Sequence, residues 1–300
     1  MQDCTEEMLD DIAAIARRLA PGPGVRETRV PGLTVRRLED DLPISCMPDH
    51  LSASLILEGS KECASGDRAW RYTRGESLVS GIETPTVFHA IGASPSRPFL
   101  TLSLRIDIQT VAEFASRAKI LPSDSEVRSP AFVLEATEDL VCAFLRLAEL
   151  TERPEDAEFL APLVIREIHY WLLRSRIGPK LLSLASSGTR SYAIAETTAW
   201  LRGHYSEPVG IESLADRAHM SPSSFYRHFR LLMGMSPLQY LKQLRLYEAK
   251  RLLLSEGLRV SSAAWRVGYE SPAQFARDYR KLFGDSPLRD TRRKGEAVPA

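Results

Sequence analysis

The feature of the 300-residue chain that most constrains its fold is a pattern that occurs twice in the last third. Ser221–Arg227 and Ser271–Arg277, which begin 50 residues apart, both read Ser-Pro-x-x-Phe-x-Arg. Serine followed by proline is typical of a helix start, because the hydroxyl caps the first turn and proline fits the first helical position. The pattern therefore predicts two helices of the same design.

Each Ser-Pro helix follows a short apolar segment and a tight break, so each predicts a helix-turn-helix unit. The units span Ile211–Phe229 and Val260–Tyr279, with Phe225 and Phe275 on the inward faces of their second helices. The segment Ser236–Leu254 between them lacks an internal breaker and predicts one helix of about 27 Å. A stiff spacer of that length suits two recognition helices in successive major grooves, roughly 34 Å apart.

The outward faces of the two Ser-Pro helices supply the candidate DNA contacts. The first turns of a recognition helix reach base edges, and arginine often donates two hydrogen bonds to guanine. We predict as base-reading residues Ser223, Tyr226, Arg227, Ala273, Gln274 and Arg277. We predict phosphate contacts for Ser221, His228 and Ser271.

Charge supports this interpretation by region and not over the whole chain, whose net charge is zero. Residues 190–300 contain 18 Lys and Arg against 11 Asp and Glu, whereas residues 1–189 contain 21 against 28. A basic segment beside an acidic one favours double-stranded DNA as the partner of the last third. Two alternatives stay open: a bundle of capped helices without a DNA role, and a module that binds another protein.

The rest of the chain predicts an α+β fold. Apolar spacing indicates an N-terminal helix within 1–24, and short apolar stretches between turn residues over 25–107 indicate a β-sandwich or barrel. The pattern then turns helical over 109–184, with helices at 109–118, 136–150 and 154–176. Ser186–Thr189 is the candidate linker, which gives predicted domains at 1–24, 25–185 and 190–295.

Residues from about 192 to 292 resemble the AraC/XylS-type DNA-binding domain. The matching positions are Leu214-Ala215, Met220-Ser221-Pro222, Arg227, Phe229, Gly234, Ser236-Pro237, Tyr240, Arg245, Ala249, Leu252-Leu253, Ala264, Val267-Gly268-Tyr269, Phe275, Arg277, Phe283-Gly284 and Ser286-Pro287. The chain departs at Leu231–Met233, where the family usually carries charged residues, so we expect this helix end to pack against another part. It also departs at Asp290, where an aromatic residue is common, which affects the packing of the tail.

The N-terminal half resembles the cupin-type N-terminal domain of an AraC subgroup, over about residues 25–180. The resemblance lies in Glu27–Thr34, Ser54–Lys61 and Tyr72–Ser80. It implies a cupin-like β-barrel with flanking helices that senses a small-molecule effector, forms a homodimer, or does both. Candidate effector contacts are Trp70, Tyr72, Phe88 and His89, although aromatic side chains of this kind more often belong to the core.

Enzymatic functions are disfavoured, so we predict a transcription regulator that has no catalytic residues and needs no metal and no cofactor. A cupin metalloenzyme is the main alternative, but it needs clustered ligands, and the β region offers only His50 and His89. The sequence contains no GxSxG, P-loop or GxGxxG motif. RNA polymerase is a further expected partner of such a regulator.

The remaining composition predicts a cytoplasmic protein without a membrane partner. The four cysteines form no CxxC pair and are expected to be reduced thiols. The chain starts with acidic residues where a signal peptide would be basic, and no apolar run approaches about 18 residues.

Overall fold

A computed structural model describes residues 2–48, 50–123 and 127–296. The strands are β1 (Gly24–Glu27), β2 (Leu33–Leu38), β3 (Ile44–Cys46), β4 (Ser52–Glu58), β5 (Ser60–Ser65), β6 (Arg68–Thr73), β7 (Glu76–Ser80), β8 (Thr86–Ala90), β9 (Phe99–Arg105) and β10 (Ala131–Glu135). The helices are α1 (Gln2–Leu19), α2 (Ile108–Ala118), α3 (Glu138–Leu150), α4 (Pro154–Arg174), α5 (Gly178–Ala185), α6 (Arg190–His204), α7 (Ile211–Arg217), α8 (Pro222–Met233), α9 (Pro237–Ser255), α10 (Val260–Arg266), α11 (Pro272–Phe283) and α12 (Pro287–Glu296).

The strands form two antiparallel sheets. Helices α1 and α2 precede β10, and helices α3–α12 follow it without further strands among the described residues. The predicted α+β fold is confirmed. Sheet A has the order β1-β2-β9-β4-β7-β10, and sheet B has the order β3-β8-β5-β6. Ile56 and Phe99 of sheet A share one apolar cluster with Tyr72 and Phe88 of sheet B. No pairing among the described residues joins the two sheets at their edges, so the predicted cupin-like barrel is an open sandwich and not a closed barrel.

Alternation along the central strands of sheet A separates two very different faces. Val35, Leu55 and Leu102 are fully buried and belong to the main hydrophobic cluster. This face is covered by α1, which packs on β4 and β9 and also against α3. The side chains between them point toward sheet B, because successive residues of a strand face opposite sides. This second face is mixed, with apolar residues such as Ile56 and Phe99 and polar ones such as Arg36 on β2.

One prediction for the middle of the chain was wrong. Residues 109–184 were expected to be helical, but Ala131–Glu135 form β10, which pairs with β7 and is the edge strand at one end of sheet A. A five-residue strand after Pro130 lacks the length over which periodicity separates a strand from a buried helical segment. The helices on either side begin and end within two residues of the predicted bounds 109–118, 136–150 and 154–176.

Two hydrophobic clusters divide the helical part of the chain. The main cluster runs from the sandwich through α3–α6 into the first helix-turn-helix unit and the start of α9, where Leu244 is its last member. A second cluster begins at Leu246 and contains the inward residues of α10 and α11. The division therefore lies inside α9, and the break at 186–189 joins α5 to α6.

Candidate nucleic-acid interface

The two helix-turn-helix units have turns that match bond by bond. In the first unit the backbone N–H of Met220 donates to the carbonyl of Ala215 at 2.9 Å. In the second, the N–H of Tyr269 donates to the carbonyl of Ala264 at 3.0 Å. Both bonds tie the residue after the turn to the support helix, so the two turns leave their support helices through the same backbone bond.

One turn residue in each unit lies in the left-handed region. His219 has φ +53° and Gly268 has φ +83°. Glycine enters this region without steric cost, whereas a side chain there is disfavoured. The second unit has one more residue, Glu270, between its turn and the serine cap. The support helices are thus repeated after 49 residues and the Ser-Pro helices after 50.

The N-termini of α8 and α11 are capped as the Ser-Pro pattern predicts. The hydroxyl of Ser221 accepts from the N–H of Ser224 at 3.4 Å, and that of Ser271 accepts from Gln274 at 3.3 Å. Both serines are exposed. The free N–H groups and the positive end of the helix dipole favour an anion at such a terminus. A phosphate role for Ser221 and Ser271 stays a prediction.

All six predicted base-reading side chains lie on exposed faces. They are Ser223, Tyr226, Arg227, Ala273, Gln274 and Arg277. Arg230 and Arg280 are exposed one turn further along the same faces, and they follow the same 50-residue repeat, which sequence reasoning did not use. Each recognition helix therefore presents two arginines and a capped N-terminus on one face, an arrangement suited to a major groove.

In α11, hydrogen bonds orient the outward side chains. Arg277 Nη2 donates to Gln274 Oε1 at 2.6 Å, and Gln274 Nε2 donates to Asp278 Oδ2 at 3.0 Å. Lys242 Nζ lies 2.6 Å from Asp278 Oδ1. Burial acts to raise the pKa of Asp278, but the bonds from Gln274 and Lys242 outweigh it and lower that pKa. Asp278 is thus an ionised anchor that holds Gln274 and Arg277 in place.

The predicted phosphate contact at His228 is wrong. Its side chain is buried, with 4% of its surface exposed. Its Nδ1 lies 2.7 Å from the carbonyl oxygen of Ser224, one turn earlier in α8. His228 falls next to Arg227 in sequence, but a helix turns successive residues about 100° apart and places this one on the inward face.

The end of α8 packs against the N-terminal half, as its apolar departure from the family pattern predicts. Leu232 and Met233 are buried in the main cluster. The turn between β5 and β6 contacts the same helix end: Asp67 N–H donates to the Gly234 carbonyl at 3.0 Å, and Arg68 Nη2 donates to the Leu231 carbonyl at 3.1 Å. We call this contact the hairpin contact.

A second contact joins the loop after β7 to α6 and α9. The hydroxyl of Tyr240 donates to the carbonyl of Glu83 at 3.2 Å. Arg202 Nη1 lies 3.0 Å from the Glu83 carboxylate and donates to the Pro48 carbonyl at 2.7 Å. Both contacts involve the first helix-turn-helix unit or its flanking helices.

Asp290, the other departure from the family pattern, is buried in the tail of the domain. Its Oδ2 accepts from the hydroxyl of Tyr279 at 2.9 Å and lies 3.3 Å from Lys250 Nζ. Burial and this carboxylate raise the pKa of Tyr279, so the phenol stays protonated as the donor. A polar contact thus fastens α12 where an aromatic residue is common.

The predicted effector residues fall on two different faces of sheet B. Tyr72 and Phe88 are buried between the sheets, and Trp70 shares their face and is partly exposed. His89 lies on the opposite face, where its Nδ1 is 2.6 Å from Asp41, so the four candidates do not line one common site. Strand alternation from Phe88 gives this result directly.

Sequence reasoning missed two cations on the inner face, Arg36 and Lys61. Lys61 Nζ lies 3.6 Å from the centre of the Phe88 ring, and Arg36 Cζ lies 5.2 Å from the same centre. The alternation Lys61-Glu62-Cys63 could have revealed the lysine, because Cys63 is apolar and inward while Glu62 is exposed.

The two histidines of the β region do not come together with other metal-ligating side chains among the residues that the structure describes. His50 lies 3.5 Å from Arg105 Nη2, on a different strand end from His89. Within the described ranges, no three His, Cys, Asp or Glu side chains come together as metal ligands. Within the same ranges, no helix is both long and apolar enough to cross a bilayer.

Comparison with known proteins identifies the family. The family described as "AraC-type transcriptional regulator N-terminus" matches residues 29–180, which are 152 of the 300 residues. The chain belongs to the AraC-type transcriptional regulators. A family described as "Helix-turn-helix domain" matches residues 214–293 of this regulator, so the resemblance seen in the sequence is confirmed over both halves.

Individual relatives agree with this assignment. The regulator is 30% identical over 155 residues to the HTH-type transcriptional activator RhaS of Salmonella arizonae, covering 51% of this chain and 55% of that protein. It is 33% identical over 102 residues to RhaS of Pectobacterium carotovorum, covering 34% of this chain and 37% of that protein. The chain thus spans about half or less of the curated relatives it matches. ToxT of Vibrio cholerae shares the fold with a TM-score of 0.57 at 9% identity, over 86% of this chain and 97% of that one.

Proposed function

We propose that this AraC-type regulator binds a specific DNA sequence by placing α8 and α11 in two successive major grooves, under the control of a small-molecule effector. The observation that carries the proposal is the matched pair of recognition helices. Both have serine caps, equivalent turns and exposed arginines at Arg227 and Arg277. The 19 residues of α9 span about 28 Å, a separation compatible with adjacent grooves.

Roles follow from position along the recognition helices. Arg227 and Arg277 donate to guanine edges or to nearby phosphates, and Tyr226 and Gln274 contact neighbouring bases. The fixed fork formed by Gln274 and Arg277 lowers the entropy lost on binding, since both side chains are already held by hydrogen bonds.

Selection of bound sequences from genomic DNA, followed by gel shifts, tests the proposal. Arg227→Ala and Arg277→Ala are each expected to weaken binding by about 1–3 kcal/mol and to relax preference at one position. Arg71→Ala, an exposed arginine of β6, is the control and should change little. Unchanged affinity and sequence preference in both recognition-helix variants would contradict the proposal, and failure to enrich any sequence would favour a protein-binding module.

The N-terminal half is the proposed effector-sensing part. The fold supports it: a solved structure of ToxT, which shares this fold, is described as bound to an unsaturated fatty acid. The hairpin contact supplies a physical route to α8, because a change at β5 or β6 reaches Leu231 and Gly234 directly. Two further expectations stay predictions: that the regulator contacts RNA polymerase, and that it is cytoplasmic.

A homodimer is also proposed, supported by exposed apolar side chains on α4. Phe159 and Leu163, four residues apart, are 73% and 63% exposed, and Leu160 lies beside them at 44%. Large contiguous apolar surface is uncommon on monomers. Sedimentation of wild type and of Phe159→Glu/Leu163→Glu tests it, and a monomeric wild type at micromolar concentration would contradict it.

A further inference from the structure

Residues 50 positions apart occupy equivalent places in the two recognition helices, but two of these places differ in chemistry. Ser224 of α8 corresponds to Gln274 of α11, and His228 corresponds to Asp278. Within each helix the two residues are four apart, so one side chain lies above the other on the same side of the helix. The first unit thus has a serine and a histidine where the second has an amide and a carboxylate.

Asp278 is held by partners from three parts of the second unit and its spacer. Its Oδ1 lies 2.6 Å from Lys242 Nζ of α9, and its Oδ2 accepts from Gln274 Nε2 at 3.0 Å. The hydroxyl of Tyr269, just after the turn, donates to the same Oδ2 at 3.4 Å. Asp278 is 9% exposed, so these partners fix the direction of its carboxylate.

The amide of Gln274 fits between its neighbours in one of its two orientations. An ionised carboxylate accepts hydrogen bonds and donates none, whereas a guanidinium donates and accepts none. The amide nitrogen therefore faces Asp278, and the amide oxygen accepts from Arg277 Nη2 at 2.6 Å. If the amide turned over, its oxygen would face the carboxylate and its N–H groups would face the guanidinium, so both attractions would become repulsions.

The held amide keeps one donor and one acceptor free for a base. Its nitrogen has two hydrogens and its oxygen two lone pairs, and one of each is used by Asp278 and Arg277. In the major groove adenine presents an acceptor at N7 beside a donor at N6, and glutamine binds both atoms at once. An amide that turns over offers its donor and acceptor in either order, so it also accommodates single contacts to the other bases. A fixed amide therefore discriminates more strongly.

The equivalent pair in the first unit is arranged differently. Ser224 Oγ lies 3.2 Å from His228 Nδ1, and a hydroxyl can both donate and accept. The imidazole Nδ1 also lies 2.7 Å from the Ser224 carbonyl oxygen, so it is engaged by the α8 backbone. A short hydroxyl that rotates between the two roles leaves the choice of base open. The two units thus differ in how firmly the side chain at this place is oriented.

We propose that Asp278 is a positioning residue that makes the second unit the more selective reader of DNA, because it holds the Gln274 amide in the orientation that matches adenine. Asp278 is buried and acts through Gln274, without contacting the base itself. Lys242 and Tyr269 act one step further back, since they hold the carboxylate. The inference rests on DNA binding by α8 and α11, as proposed above, and names the residue that sets a base preference in α11.

Base-by-base binding measurements with the full chain test the inference. Each position of a site selected from genomic DNA is changed to the other three bases, and gel shifts give each affinity. Gln274→Ala first locates the position that Gln274 reads, where the wild type should prefer adenine by about tenfold or more. Asp278→Asn keeps the shape but lets the amide turn over, so it should reduce that preference to about threefold or less and leave the other positions unchanged.

A double variant and a charge control separate positioning from other roles. In Gln274→Ala/Asp278→Asn the asparagine should cause no further loss of preference, because the side chain that it would release is gone. Glu270→Gln removes one negative charge from the exposed residue just before the Ser271 cap. It should change the affinity for all sequences by one common factor.

Four results would overturn the inference. They are no change of preference at any position in Gln274→Ala, a wild-type preference for a base other than adenine at the position it locates, an equal change at every position in Asp278→Asn, and a further loss of preference in the double variant. The first two require only the wild type and a change of the exposed Gln274, so they decide the matter even if Asp278→Asn fails to fold.

Failure of this inference is distinct from failure of the proposed function. Sequence-specific binding that depends on Arg227 and Arg277, but keeps its full base preference in Asp278→Asn, would overturn the positioning role alone. Failure to enrich any DNA sequence would overturn the proposed function, and this inference with it.

Discussion

The two helix-turn-helix units share a design but differ in what they pack against. The inward residues of the first unit, such as Phe225 and Phe229, belong to the cluster that continues through α6 and α3 into the sandwich. Those of the second, such as Phe275 and Tyr279, form a cluster of their own with the end of α9. The two units therefore share a sequence pattern but belong to different hydrophobic cores.

The difference also appears at the ends of the recognition helices. Gly234 after α8 is buried against Asp67, whereas Gly284 after α11 has no atom within 4 Å of the position its Cβ would occupy. The first unit is thus held on two sides, by the shared core and by the hairpin contact. The first unit thus contacts the N-terminal half directly, whereas the second unit packs on α9 and on the loop between α6 and α7, where a Cβ at Gly268 would lie 2.4 Å from the Ser206 carbonyl oxygen.

The largest expected effect comes from removing one buried aromatic ring from each of the two cores. Phe225→Ala and Phe275→Ala remove fully buried rings, and each is expected to cost about 3–5 kcal/mol in free energy of unfolding. Phe225→Ala should lower hydrogen-exchange protection in the first unit and in sheet A together. Phe275→Ala should lower it in α10 and α11 only. Equal loss of protection in sheet A for both variants would show that the two cores are one.

A pH titration sharpens the same comparison. Burial and, secondarily, the charge of Arg36 lower the pKa of Lys61 to about 8, against an ordinary value of 10.5. Between these pH values Lys61 binds more protons in the unfolded chain than in the folded one, so the contribution of Lys61 to stability rises from about pH 8 to 10.5, by about 3 kcal/mol in total. Below pH 8 Lys61 is charged in both states, so the full cost of burying its charge lowers the free energy of unfolding.

The control for that titration is Lys61→Met, measured as the difference from wild type. Arg36, Cys46, Cys63 and Tyr72 are the other ionisable groups facing Lys61. Burial raises the pKa of both thiols and of Tyr72, so above their ordinary pKa values the folded chain keeps protons that the unfolded chain loses, and these groups lower stability as pH rises. The difference between wild type and Lys61→Met isolates the opposite contribution of Lys61. The gain should appear in amides of the sandwich and the first unit. An identical pH response in α11 would contradict separate cores.

Alanine at the two glycine caps tests the hairpin contact. Gly284→Ala should cost about 1–2 kcal/mol, the usual penalty for a side chain at φ +80°. Gly234→Ala should cost about 1–3 kcal/mol more, because its Cβ would lie 2.6 Å from Asp67 Oδ1 and 3.2 Å from the Asp67 backbone nitrogen. Urea unfolding measures both, and equal costs would mean that the turn moves away freely.

Local sequence patterns were enough to predict the features of the interface that are determined within a single helix. Serine caps, inward phenylalanines and outward arginines follow from spacing within α8 and α11. His228 was misassigned because its place next to Arg227 in sequence was used, whereas its angular position on the helix turns it inward. The predicted contact of Leu231–Met233 needed only the observation that apolar residues stood at normally charged positions.

Features that depend on distant strands could not be predicted in the same way. Lys61 and Arg36 are 25 residues apart, and only the pairing of β2 with β9 and of β5 with β8 faces them toward each other. The strand β10 is defined by its partner β7, since five residues carry too little periodicity of their own. The packing of the two sheets, and not composition, brings both cations onto the Phe88 ring.

The smallest expected effect lies in the turns and separates the two units once more. His219 adopts φ +53°, so His219→Gly should stabilise the first unit by about 0.5–1 kcal/mol. Gly268→Ala is the matched change of opposite sign, and it should cost more than a backbone penalty because its Cβ would lie 2.4 Å from the Ser206 carbonyl oxygen. Chemical unfolding followed separately in each unit measures both. Destabilisation by His219→Gly would mean that the imidazole itself holds the turn, and the equivalence of the two turns would then be limited to their backbone bonds.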